Sequence, residues 1–352
     1  MFECAQDVAL AQARAWCDRQ LTQLKRLPVG VAALPTFFAG VVDEWAQSQR
    51  KLAFAWREGQ LLSARQRIHE GIGEKWSALW SAFWRGAGDR FGLRSNIVVV
   101  ERVFETESLL HMLRWDRLFD RAGLDEMAQG LAAWISGTPM PPSPWRDAAR
   151  MEAARSMPEL PERGTVAATI MDAAAQVLEQ RGVAGLSHRA VAARSGLTLG
   201  VVLHNFHTKS ELLTAAYERV YLANIGQSSR SGQRGASAPQ TGDGMETLVA
   251  GISRSAGVLG MEDLILAAAR DPALAQFAVQ LRYLRGRSSV HALEMIAGSD
   301  RQYAPLEAAL FSGFASSLAR IYRNGDPALL LARMRAELEV VRGCIRSTAS
   351  RL

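Results

Sequence analysis

The sequence predicts an all-α protein, on three observations. Alanine, leucine, arginine and glutamate dominate the composition, and all of them favour helix. Apolar residues recur at intervals of three and four along most of the chain, the spacing that builds one face of a helix. Alternating strand patterns are nearly absent. The β-looking run Ile97-Val98-Val99-Val100 leads straight into ERVFETESLLHMLRW, which has helical spacing, so it is expected to open a helix.

Composition sets the broad class. At 352 residues the chain exceeds one compact core, so roughly two or three domains are expected. Hydrophobic residues at 48% and charged residues at 22% are ordinary for a soluble globular protein. The formal net charge of +6 is compatible with a polyanionic partner but does not require one. The three cysteines, Cys4, Cys17 and Cys344, are odd in number and lack metal-ligand spacing. They are expected as buried thiols in a reducing cytoplasm. No apolar run reaches about 18 residues, so no membrane span is expected. The early charges Glu3 and Asp7 do not fit a signal peptide.

Two segments interrupt the helical pattern. Residues 137–164 carry Pro139, Pro141, Pro142, Pro144, Pro158 and Pro161, and are expected as a linker after a helical domain at 1–136. Residues 226–244, GQSSRSGQRGASAPQTGDG, read as a flexible polar loop. A repeat emerges at a separation of 211: Ala5 matches Ala216, Pro28 matches Pro239, and TFFAG from Thr36 matches TLVAG from Thr247. With one further residue of shift, Leu52, Ala55 and Leu62 match Leu264, Ala267 and Leu274. The consistent order points to duplication of a helical unit, with copies at 1–136 and 212–352.

Between the copies, residues 165–211 hold four helix signals in close order. ATIMDAAAQVLEQRG places Ile170, Ala174, Val177 and Leu178 on one face and ends at Gly182. Ser187 is placed to cap the next helix, Gly196 permits a tight turn, and Thr198 and Thr208 are placed to cap the third and fourth helices. Two short helices joined by a glycine turn over a longer first helix form a unit that reads DNA through its last short helix.

Residues 169–213 resemble the DNA-binding domain of the TetR family of transcriptional regulators. The resemblance is carried by Ala173-Ala174 and Gly182, S-H-R-A-V-A from Ser187, Ser195-Gly196-Leu197-Thr198, Phe206, and T-K-S-E-L-L from Thr208. It implies a helix-turn-helix at 165–211, followed by a helical ligand-binding and dimerising domain at 212–352. The 1–136 copy then resembles such a domain without a reader of its own.

Roles follow by resemblance. Ser187, Thr198, Thr208 and Lys209 would hold phosphates, and Leu199, Gly200 and His204 would approach base edges. Arg189 would reach a guanine or a phosphate from the preceding helix. One departure stands out: the family commonly has tyrosine where this chain has Leu203, so one phosphate-contacting hydroxyl is absent.

Outside the reader, Trp76, Trp80 and Trp84 recur at four-residue spacing and share one helix face. They fit the wall of a ligand cavity or a packed core, and large aromatics at helical spacing more often pack. Phe277 and Phe311 are the corresponding candidates in the second copy. His204 and His207 have no cysteine or carboxylate beside them at metal spacing, and no phosphate-binding Gly-rich loop or G-x-S-x-G occurs. No metal, cofactor or enzymatic activity is therefore expected.

The reading is a regulator that represses by occupying a double-stranded operator and is released by a small hydrophobic ligand. The alternative is a helical interaction or ligand-sensing protein whose helix-turn-helix no longer binds DNA. By resemblance, the pairing helices are 97–119 with 124–135 in one copy and 305–323 with 327–347 in the other. They can pair within one chain or between two chains. Avidity at a palindrome favours the second arrangement, so a homodimer is expected.

Overall fold

The computed structural model describes residues 2–65, 69–156, 165–220, 244–253, 258–286, 289–298, 302–322 and 326–349, and no strand occurs among them. The first copy comprises α1 (Phe2–Leu24), α2 (Leu34–Asp43), α3 (Arg50–Arg65), α4 (Glu70–Phe91), α5 (Ile97–Leu110) and α6 (Arg117–Ser136). The isoleucine–valine run does open a helix. The centre comprises α7 (Pro144–Arg155), α8 (Val166–Gly185), α9 (His188–Ser195), α10 (Leu199–Asn205) and α11 (209–220). The second copy comprises α12 (Gly244–Ser253), α13 (Val258–Arg270), α14 (Ala278–Tyr283), α15 (Ser289–Ala297), α16 (Pro305–Ile321) and α17 (Pro327–Ala349). No described helix is long and apolar enough to cross a membrane. The polar loop expected at 226–244 lies, apart from Gly244, outside the described residues.

Helix ends follow the repeat. Moved by 211 positions, α2 would span 245–254, against 244–253 for α12. Likewise α5 would span 308–321, against 305–321 for α16, and α6 would span 328–347, against 327–349 for α17. One pair diverges. The 22-residue α4 is continuous, whereas the corresponding stretch of the second copy is divided between α14 and α15.

The core of the first copy is an aromatic cluster. Trp16, Trp45, Trp56, Trp76, Trp80, Trp84 and Trp134 are all fully buried. Trp80 sits at its centre, with ring centroids 4.8 Å from Trp45, 4.8 Å from Trp56 and 4.6 Å from Phe104. Aromatic rings at these distances fill space and attract one another. The indole N–H groups of Trp16, Trp76 and Trp134 donate to Glu44, Gln6 and Glu307. Those of Trp45, Trp56, Trp80 and Trp84 have no oxygen or nitrogen acceptor and lie among edge-to-face ring pairs, where ring faces are the available weak acceptors. The stripe Trp76, Trp80, Trp84 is packed among these rings, in keeping with the packed core of the two alternatives the sequence offered. Phe277 and Phe311 are buried as well, one before α14 and one on α16.

The segment expected as a linker, 137–164, also needs correcting in its middle. There α7 forms, packs against α6 and α14, and buries Arg146, Ala149 and Ala153. Pro144 stands in its first turn, where a missing N–H costs nothing. Its next two amides, of Trp145 and Arg146, donate to the Glu126 carboxylate of α6 at 2.9 Å each. Residues 157–164 of the expected linker lie outside the described residues.

The two copies meet along one seam. Helix α5 packs along α16, and α6 along α17. Every residue of α5 from Val99 to Leu110 is buried. Polar groups cross the seam in pairs: Thr106 Oγ1 donates to the Gly313 carbonyl at 2.7 Å, and Ser317 Oγ to Glu105 Oε2 at 2.6 Å. Arg320 Nη2 reaches Glu105 Oε2 at 2.7 Å, and Arg102 grips both Glu337 oxygens at 2.8 and 2.9 Å. Burial pushes the Glu105 carboxyl up, but Arg320, Arg102 and Arg57 outweigh it and hold the group below its ordinary value. The Arg57 guanidinium, fully buried beside Arg320, is pushed down to about 9.

Candidate nucleic-acid interface

The caps expected from the sequence form. Ser187 Oγ accepts from Ala190 N at 3.2 Å and Thr198 Oγ1 from Val201 N at 3.3 Å, and Thr165, which the sequence reading did not name, caps α8 through Ala168 N at 3.2 Å. At the start of α11, Thr208 Oγ1 accepts from Glu211 N at 3.1 Å. Each satisfies an amide that has no partner within its helix. Gly196 joins α9 to α10 with φ 72°, a left-handed conformation that glycine adopts without strain. Gly182, expected to end the first helix, breaks α8 at φ 67°, and one further turn follows to Gly185.

Burial sorts the two short helices into faces. Val191, Ala192, Val202 and Leu212 are buried beneath them, and Leu197 and Phe206 are half-buried. Ser187, Arg189, Thr198, Leu199, Gly200, His204, Thr208 and Lys209 are all exposed. On α10 the exposed residues Leu199, Gly200, Leu203 and His204 share the face opposite Val202. The capping hydroxyls of Ser187 and Thr198 accept from their helices and retain a proton to donate to an anion. Both hydroxyls stand at helix N-termini, where the backbone favours anions. All eight proposed contact residues thus lie exposed along α9, α10 and the start of α11 or at their caps.

Three contributing residues escaped the sequence reading. His188 Nε2 lies 2.8 Å from the Phe206 carbonyl and ties the start of α9 to the end of α10. Arg194 Nε donates to Gln176 Oε1 at 2.6 Å, fastening α9 to α8. Glu211 Oε2 accepts from His207 N at 2.8 Å, which holds its exposed carboxyl below the ordinary value. The Thr208-Lys-Ser-Glu211 spacing of a capping box was the available signal for Glu211. Nothing local marks His188, whose partner is a backbone carbonyl 18 residues away.

The unit is anchored to both copies. Helix α8 packs on α13, and Arg219 of α11 pairs with Asp172 of α8. A Cβ at Gly182 would come within 2.8 Å of Arg65 Nη1, the guanidinium that α3 sends across to Asp263 of α13. Burial raises the Asp263 carboxyl, and the Arg65 hydrogen bond and charge pull against that rise. The end of α8 thus rests on a junction where first and second copies meet.

Residues 170–216 match the family model described as bacterial regulatory proteins, tetR family. No curated protein and no solved structure matched the chain. The matched residues run from Ile170, in the buried face of α8, to Ala216 in α11, so they enclose the whole exposed edge described above. Residues 170–216 are thus similar to the helix-turn-helix domain of that family.

Proposed function

We propose that the chain is a cytoplasmic, DNA-binding transcriptional regulator that represses by occupying an operator. The observation that carries the reading is the exposed edge of Ser187, Arg189, Thr198, Thr208 and Lys209 around the outward face of α10. Lys209, Ser187, Thr198 and Thr208 take phosphates, Arg189 takes a guanine or a phosphate, and Leu199, Gly200 and His204 meet base edges. Release follows when a small hydrophobic ligand enters the second copy and shifts α13, on which α8 rests. Support for that step is the direct packing of α13 on α8. Release requires the ligand to prefer the non-binding state, by about 1–3 kcal/mol for ordinary coupling.

A second reading has its own observation. Leu199 and Leu203 are 39% and 40% exposed and stand one turn apart on α10, and residues 163–219 hold six basic against four acidic residues. An apolar outer stripe with modest charge suits a protein partner as well as thymine methyl groups. Selection from a pool of random duplexes decides between them. Recovery of a common sequence by the wild-type chain, altered by His204→Ala, supports DNA reading. No enrichment over the input pool supports the protein partner.

A further inference from the structure

We infer that the chain is an internal pseudo-dimer that reads an asymmetric operator with one recognition helix. The inference rests on the DNA reading proposed above and adds the form of the site. It comes from two observations together: the repeat relates α5 to α16 and α6 to α17, and these same helices form the seam between the copies. A face that a symmetric pair of subunits would present to each other, each through equivalent helices, is here satisfied within one chain.

The seam has the character of a permanent interface. The buried face of α5 runs from Val99 to Leu110, and α16 buries twelve residues, including Glu307, Ser317 and Arg320. The Glu105–Arg320 and Arg102–Glu337 pairs join opposite copies, and separating the copies would break both buried pairs. Gly130 of α6 lets α16 approach so closely that a Cβ there would lie 2.8 Å from Leu306 Cδ2. With α5 buried from Val99 to Leu110, that stretch offers no surface to a second chain. The homodimer expected from avidity would have to form through surfaces other than this one.

The two copies differ in what they carry. Residues 165–211 supply one helix-turn-helix to the particle, joined to the second copy through α11. A symmetric pair would present two recognition helices about one DNA turn apart and select a palindrome. A single reader selects one block of bases with no two-fold relation.

The test uses the full chain with Gly130→Cys and Leu306→Cys, and Cys4→Ser to remove the exposed native thiol. After oxidation, internal pairing gives a cross-linked single chain of 38.4 kDa on a non-reducing gel. Pairing between chains gives a covalent dimer and overturns the inference. Should the double variant fail to fold, the wild-type mass by light scattering decides the same point. Duplexes recovered from a random pool are then expected to share one asymmetric motif and to bind one chain each. A palindromic motif binding two chains contradicts the inference even if the cross-link is internal. A single-chain particle that recovers no duplex overturns the DNA reading, and the operator form with it, while the internal pairing stands.

Discussion

The two copies agree in the bounds of three helix pairs but differ in what they carry. The first holds a fully buried aromatic cluster and an unbroken α4, and all nine tryptophans of the chain fall within the first 145 residues. The second has no tryptophan, divides the matching stretch into α14 and α15, and carries the reader on α11 and α13. A rigid, solid copy suits a permanent partner. A copy of shorter helices, in contact with α8, suits an element that must shift when a ligand binds.

The largest expected effect tests the solid core. Trp80→Ala should cost about 3–5 kcal/mol of stability, read by chemical unfolding, because its neighbours on three sides cannot close the space. A loss below about 1 kcal/mol would mean that the cluster is loosely packed and that the contrast between copies is overstated.

Next comes the seam. Glu105→Ala removes the carboxylate that Arg320 and Ser317 share across the seam, leaving Arg320 with Glu262 alone, and should cost about 3 kcal/mol. Adding Arg320→Met should recover part of that loss. Full additivity of the two changes would show that the pair does not couple the copies.

Acidity acts on the same region. Burial, then the charges of Arg282, Arg146 and Arg285, keep His111 well below its ordinary value, while its bond to the Glu107 carbonyl favours protonation. The unfolded chain therefore takes up a proton near pH 6.5 that the folded chain refuses. Stability from this source is complete above about pH 6.5 and declines as pH falls below it, by up to about 1.4 kcal/mol per unit. His111→Asn should flatten the melting-temperature profile between pH 7 and pH 5; an unchanged profile would assign the decline to other groups.

Effects at the reader are smaller in stability and larger in binding. Thr198→Ala removes the cap of α10 and should cost about 1 kcal/mol. Lys209→Ala should leave unfolding within about 0.5 kcal/mol, since the side chain is exposed, yet reduce the salt dependence of DNA binding by about one unit of log–log slope. An unchanged slope would remove Lys209 from the phosphate contacts.

The legible and illegible parts divide by sequence distance. Ser187, Thr198 and Thr208 each cap an amide three residues on, so their roles can be read locally. The repeat was readable because helix ends and apolar positions keep one register. The α7 helix was hidden because prolines mask it and its cap is Glu126, 19 and 20 residues away on another helix. The helices of the seam could be named by resemblance, but not its residue pairs: Arg102 meets Glu337 across 235 residues, and a single sequence carries no mark of that contact. The tryptophan stripe showed which side chains share a face, but not whether that face met a void or more rings.

Hydroxyl-radical footprinting of the wild-type chain on its selected duplex puts the division of labour most directly at risk. One reader held by an internal pair should protect one block of backbone, without two-fold symmetry, on a site of about one half-turn to one turn. Two blocks related by a two-fold axis, about one helical turn apart, would mean that two chains supply the readers and that the first copy is not the second's partner in DNA recognition.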